Sequence, residues 1–274
     1  MIGLAVVFGI ASQALADDGI KWEKILDIPK GQGAPDGVRL DLLGIEIGDR
    51  FEDAKAKLER IVADLPDGAY GNIRVHTTRF KLPTGGGSFV ETSYPSMIAA
   101  QIHRFPEHRT EEINVYMSAP SSGAQVYGIL RAISYLDKTV EPKISELLPR
   151  LREKFGTDPL TPYNNHGSNS YFYVFDDGAP VKLSDNDILL TGCGYIKPQM
   201  AFTERDIEAI NRKGNCDIAL RVHVDYGLSD DHARTLAFSL FDAARSKANH
   251  QADFKFFDDY VNRLRQSGGQ GPKL

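Results

Sequence analysis

From Phe51 onward the apolar positions recur with a helical period. Phe51, Ala54, Leu58, Ile61, Val62 and Leu65 fall at i, i+3, i+7, i+10, i+11 and i+14, one stripe along one helix face. Asp49 stands where its carboxylate can cap that helix, Glu52 follows at the capping-box spacing, and Pro66 closes the stretch. Gly44-Ile45-Glu46-Ile47-Gly48 reads as a short extended piece leading in. A second stripe, Val140, Ile144, Leu147, Leu148, Leu151 and Phe155, predicts a helix over 140–155 that ends at Lys154 and Gly156. Pro149 lies inside it and predicts a kink on the exposed side. A third helix near the C-terminus is predicted to carry Phe254, Phe257, Val261 and Leu264 inward.

Between the helices the period drops to two. Ile73, Val75 and Thr77 alternate with Arg74, His76 and Thr78; residues 97–103, Ile113 to Met117, and 126–135 continue in the same manner. After the second helix, strands are predicted at 171–175, 187–191, 218–224 and 236–240. Turn-forming stretches, Thr84-Gly85-Gly86-Gly87-Ser88 and Ala119-Pro120-Ser121-Ser122-Gly123 among them, suit antiparallel hairpins. The order helix, strands, helix, strands, helix predicts an α+β fold, with antiparallel sheet covered by helices in two tandem helix-plus-sheet units. Its boundaries are a lead-in at 17–40 that packs Trp22, a first unit at 41–136, a second with the C-terminal helix at 137–267, and a flexible tail at 268–274.

The first residues change the picture of where this fold works. Ile2 to Ile10 is an apolar run followed by Ala14-Leu15-Ala16, the small-residue pattern of a cleavage site, so 1–16 reads as a secretory signal peptide. No Lys or Arg precedes the run, which makes the signal atypical or places the true start upstream. The run is shorter than the ~20 residues a membrane-spanning helix needs, so no stable span is expected after cleavage. A periplasmic or secreted location follows as the expectation. In such a compartment Cys193 and Cys216, the chain's two cysteines, are most simply a disulfide, with two buried thiols as the alternative.

Gly44-Ile45-Glu46-Ile47-Gly48-Asp49, continued by Phe51-Glu52-Asp53-Ala54 and Leu58, resembles the opening of many small exported bacterial proteins. Leu151-Arg152-Glu153-Lys154-Phe155-Gly156-Thr157-Asp158-Pro159 likewise resembles a helix end common in proteobacterial envelope proteins. The resemblance is to the SmpA/OmlA lipoproteins and to the tandem-repeat β-lactamase-inhibitor-protein fold. It covers two short windows, and the lipidated cysteine of the former is missing. The resemblance implies binding to another protein or an envelope role, and it transfers no functional residues.

A net charge of −5 with no clustered Lys/Arg run argues against nucleic acid as a partner. Neither Gly87-Ser88 nor Gly167-Ser168 sits in a G-x-S-x-G nucleophile motif, and the triple glycine at 85–87 is not followed by the Lys-Ser/Thr of a phosphate loop. Asp176-Asp177-Gly178 and Asp185-Asn186-Asp187 lack the spacing of a calcium loop. Tyr171, Tyr173 and Phe175 share a strand face and would be a sugar or peptide platform if exposed, core if covered. His223, Asp225 and His232 are the one place where imidazoles and carboxylates could converge across a hairpin. The expectation is a non-enzymatic protein without cofactor, metal or catalytic residues, binding a protein or envelope component through a sheet face. An exported hydrolase-like enzyme with a dispersed His/Asp site is the alternative.

Overall fold

Both groups of alternating segments enter the same sheet. The computed structural model describes residues 20–30, 35–38, 40–85, 88–156, 158–159, 161–165, 167–182 and 216–266. A two-residue ladder of β1 (Asp41–Leu42) and β2 (Ile45–Glu46) leads into α1 (Phe51–Ala63). A meander follows: β3 (Ala69–Gly85), β4 (Ser88–Arg104), β5 (Arg109–Met117) and β6 (Val126–Tyr135). The second half repeats that order with α2 (Ile144–Phe155), β7 (Thr161–Asn165), β8 (Ser168–Asp176), β10 (Ile218–Tyr226) and β11 (Ala233–Asp242), with β9 (Ala179–Pro180) on the edge of β8. α3 (Ala243–Gln266) comes last. The strand order is β3-β4-β5-β6-β11-β10-β8-β7, and each pairing is antiparallel. The last strands of the two meanders, β6 and β11, pair, so the strands expected as two groups form a continuous surface.

That seam matters for the core. Ile98, Val115, Ile129, Leu240, Leu220 and Tyr173 are successive cross-strand partners and therefore share one face. All six are buried, and the row crosses the seam without a break. α1 covers this face with Ala54 and Leu58, and α2 with Ile144, Leu151 and Phe155, whose ring lies 4.8 Å from that of Tyr173. Gly71 allows the close approach of α1: a Cβ there would meet Val62 at 3.1 Å and Leu65 at 3.2 Å. Tyr171, Tyr173 and Phe175 lie in this core, the covered alternative of the sequence reading. The opposite face is covered in part by α3, with Tyr127 between the rings of Phe241 (6.0 Å) and His250 (5.7 Å). Trp22 of the lead-in stacks on Phe256 at 5.1 Å.

Several local expectations need correction. Asp49 does not cap α1; Arg50 occupies the cap position, extended and without a side-chain cap bond. The Asp49 carboxylate is instead fully buried, accepting from the Glu46 amide (2.8 Å), from Lys57 Nζ (2.6 Å) and from Lys30. Two ammonium partners hold it more strongly than one helix amide would. α2 begins at Ile144, because Asp137 ties the preceding residues into a 3₁₀ turn by accepting from the Thr139 amide at 2.8 Å. On α3, Phe254 points outward and Phe256 takes the inward place. The inward stripe begins with polar residues, Arg245, Ser246, Asn249, His250 and Asp253, a pattern apolar periodicity cannot detect. Residues 1–16, the strand expected at 187–191, Cys193, the turn at 185–187 and the tail lie outside the described residues.

Asp253 carries a measurable consequence. Its carboxylate accepts from Ser121 Oγ at 2.6 Å and from the Ala119 amide at 3.3 Å. Burial nonetheless pushes the carboxyl up to about 6, from an ordinary value of 3.8. Between those values the folded state binds more protons than the unfolded chain, so this group's contribution to stability falls as pH rises through the window. Asp253→Asn should flatten the slope of urea-derived stability between about pH 4 and 6. An unchanged slope would mean that Asp253 is ionised throughout.

Candidate functional site

Beyond the reach of α3, the second face of the sheet is only half-covered by the described residues. Its composition can be read from the strand registers. One transverse row is Tyr70, His103, Thr110, Ser134, Thr235, Asp225 and Ser168. The next is Asn72, Gln101, Glu112, Ala132, Ala237, His223 and Ser170, and a third runs from Arg74 through Asn114 to Arg221 and Phe172. Tyr70, Asn72, Arg74, Gln101 and Glu112 are exposed. This face therefore presents amides, hydroxyls and a few balanced charges where the other presents branched aliphatics, the alternation expected of an antiparallel sheet with one wet side.

Two features distinguish it from an ordinary wet face. At the β3–β4 end three rings gather: Tyr70 stacks on His103 with centroids 4.7 Å apart and an interplanar angle of 15°, and Phe105 lies 5.6 Å from Tyr70. Tyr70 and Phe105 are half or more exposed, at 50% and 57%. Towards the other end the first row meets a cavity of about 660 Å³, whose lining includes Ser134, Thr235, Asp225, Lys138, Glu141 and Arg234. Glu141 is buried there and accepts from the Leu228 amide at 2.6 Å. A Cβ at Gly227 would fall 2.0 Å from a Glu141 carboxylate oxygen, so a larger residue there would displace that carboxylate.

The His/Asp cluster singled out in the sequence is partly assembled. His223 Nε2 donates to Asp225 Oδ1 at 3.1 Å, and Ser170 Oγ donates to His223 Nδ1 at 2.8 Å. Arg221 donates to the same hydroxyl through Nε (3.2 Å) and Nη2 (3.1 Å), with its guanidinium over the Phe172 ring at 5.9 Å. Burial, then the Arg221 charge, holds the His223 imidazole below its ordinary pKa, so it stays neutral and can accept at Nδ1. A Ser–His–Asp chain is the composition of an acyl-transfer site. Here the serine is 2% exposed and lies beneath Arg221 and His223, so no acyl group could reach it without their displacement. His232 does not join; its Nδ1 pairs with Ser229 Oγ at 2.7 Å on the β10–β11 turn. Among the described residues no group of three metal-ligating side chains converges.

Sequence reasoning placed His223 beside Asp225 through their i, i+2 spacing on one strand face. It missed Ser170 and Arg221, because cross-strand register is not written in either strand alone. It also missed the Tyr70–His103–Phe105 stack for the same reason. No known protein family, curated protein or solved structure matches the chain. No described helix is long and apolar enough to cross a membrane.

Proposed function

We propose that this chain is an exported, non-enzymatic binding protein, built as two tandem helix-plus-sheet units, that receives a protein or cell-envelope component on the open face of its sheet. The observation that carries this reading is the uneven covering of the two faces, the second of which α3 covers only in part. α1 and α2 bury the aliphatic face, whereas Tyr70, Asn72, Arg74, Gln101 and Glu112 stand exposed in register on the other. A rigid, pre-formed sheet presents such side chains with little ordering cost on binding, which favours affinity. The hydrolase alternative has the Ser170–His223–Asp225 chain for support and the burial of Ser170 against it. The test of the binding reading is a pull-down from periplasmic extract with the mature protein, beside a Gln101→Arg/Glu112→Arg variant. The account expects capture by the first and loss of it by the second, with unchanged circular dichroism. Equal capture by both would remove the open face from the interaction.

Export and the Cys193–Cys216 disulfide form part of the same proposal. Cys216 is buried against Phe172, Val174 and Ala219, a setting in which a cross-link is shielded from reductants. One intact-mass measurement on protein recovered from the periplasm checks both. The expected mass is that of a chain starting at Asp17 and lighter by two hydrogens than its reduced form. A mass retaining Met1 would refute cleavage, and alkylation of both cysteines without reduction would refute the bond.

A further inference from the structure

We propose that the occupant of the open face is a neutral, extended, β-linked glycan chain, lying along the row Tyr70, His103, Thr110, Ser134, Thr235 and Asp225. This deepens the binding reading above and rests on it. Three independent observations meet in that row.

The first is the ring stack. Exposed aromatic faces attract the axial C–H faces of pyranose rings, which are apolar and weakly positive, and Tyr70 and Phe105 are exposed rings held in place by stacking with His103. The second is the chemistry beside the stack. Thr110, Ser134 and Thr235 follow as hydroxyls; in the next row Asn72, Gln101 and Glu112 flank Tyr70, His103 and Thr110 with planar amide and carboxylate groups, and Ala132 and Ala237 lie beside Ser134 and Thr235. The hydroxyls and amides can donate and accept at once, and the Glu112 carboxylate accepts, as vicinal sugar hydroxyls require. The third is charge. Across the three rows and the cavity together, four cations (Arg74, Arg221, Lys138 and Arg234) are interspersed with three anions (Glu112, Asp225 and Glu141), which leaves no single-sign patch. A polyanion or polycation would find no complementary field here, whereas a neutral polyhydroxylated ligand needs none.

Geometry selects the linkage. The row runs across the strands, so successive side chains are separated by the inter-strand spacing of roughly 4.8 Å. β-linked pyranose chains are flat ribbons whose rings advance by about that step, which allows one ring per strand. Coiled α-linked chains leave such a straight row within a few rings. The row ends at the cavity of about 660 Å³, which is large enough to receive a terminal sugar or a substituent on one.

The test is a nuclear magnetic resonance titration of the full mature protein with chitohexaose and cellohexaose, with maltohexaose and a sulfated hexasaccharide as controls. The expected result is millimolar or tighter binding of at least one of the two β-linked hexasaccharides, with shifts at Tyr70, His103, Thr110 and Ser134. The controls should bind about tenfold more weakly or not at all, and Tyr70→Ala should lose about tenfold, the worth of one well-placed ring contact. Tyr70 is an exposed side chain, so circular dichroism and the urea midpoint of that variant should match the parent. Absence of binding by both β-linked hexasaccharides at millimolar concentration overturns the proposal, as does binding that Tyr70→Ala leaves unchanged or that the sulfated chain exceeds. Should these fail while Gln101→Arg/Glu112→Arg still abolishes capture of a protein, the occupant is a polypeptide and only the glycan assignment falls.

Discussion

Arg245→Met should destabilise the protein by roughly 3–5 kcal/mol, the cost of removing one partner from a buried ion pair. The Arg245 side chain is 1% exposed and its guanidinium serves four acceptors. Nε pairs with Asp242 at 3.2 Å, Nη1 donates to Gln125 Oε1 (2.8 Å) and to the Ile28 carbonyl (3.0 Å), and Nη2 donates to the Pro29 carbonyl (2.7 Å). Methionine fills a similar volume yet satisfies none of these. Asp242, whose carboxyl burial already pushes up to about 6 against the pull of this arginine, would be left without its cation. The lead-in would lose the contacts that tie its Ile28 and Pro29 carbonyls to α3, with the Trp22–Phe256 stack left to hold it. Urea unfolding gives the magnitude, and limited trypsin digestion gives the location: cleavage after Lys24 or Lys30 should precede any other. A loss below about 1 kcal/mol would show that Asp242 is already neutral and the guanidinium dispensable.

Ile129→Ala should cost about 2–5 kcal/mol, the range for deleting a fully buried branched side chain. Its position gives the change a second use. Ile129 lies in β6 between Val115 of the first meander and Leu240 of the second, so its methyl groups belong to both halves. The expectation is one cooperative transition shifted to lower urea, with tyrosine fluorescence and backbone circular dichroism coincident. Two separated transitions would mean that the halves fold independently and that the seam adds little.

Much of the frame was legible because it obeys simple periods. The stripe from Phe51 to Val62 packs as a helix face should, with Leu65 just past the helix end also against the core, and β6 spans the residues its alternation marked. The α+β class followed from element order alone. What escaped has physical causes. Asp49 carries every mark of a cap, but local spacing cannot reveal Lys30 and Lys57 converging on it. α3 presents Arg245, Asn249 and Asp253 inward, and a rule that looks for apolar residues passes over a polar stripe satisfied by distant partners. For the candidate site, strand alternation placed His223 with Asp225, while the open face's ring stack and hydroxyl row exist only after register is fixed. His232 was drawn in by proximity in sequence, yet the turn gives its imidazole to Ser229.

The central claim is that binding takes place on the wet side of the sheet and not on its helices. Photo-crosslinking in the periplasm decides it most directly, with benzoylphenylalanine placed in turn at Gln101, Glu112 and Asn72 on the open face and at Glu52 and Glu59 on α1. The account predicts covalent adducts from the first three positions and none from the two on α1. Adducts from α1 with none from the sheet would contradict it.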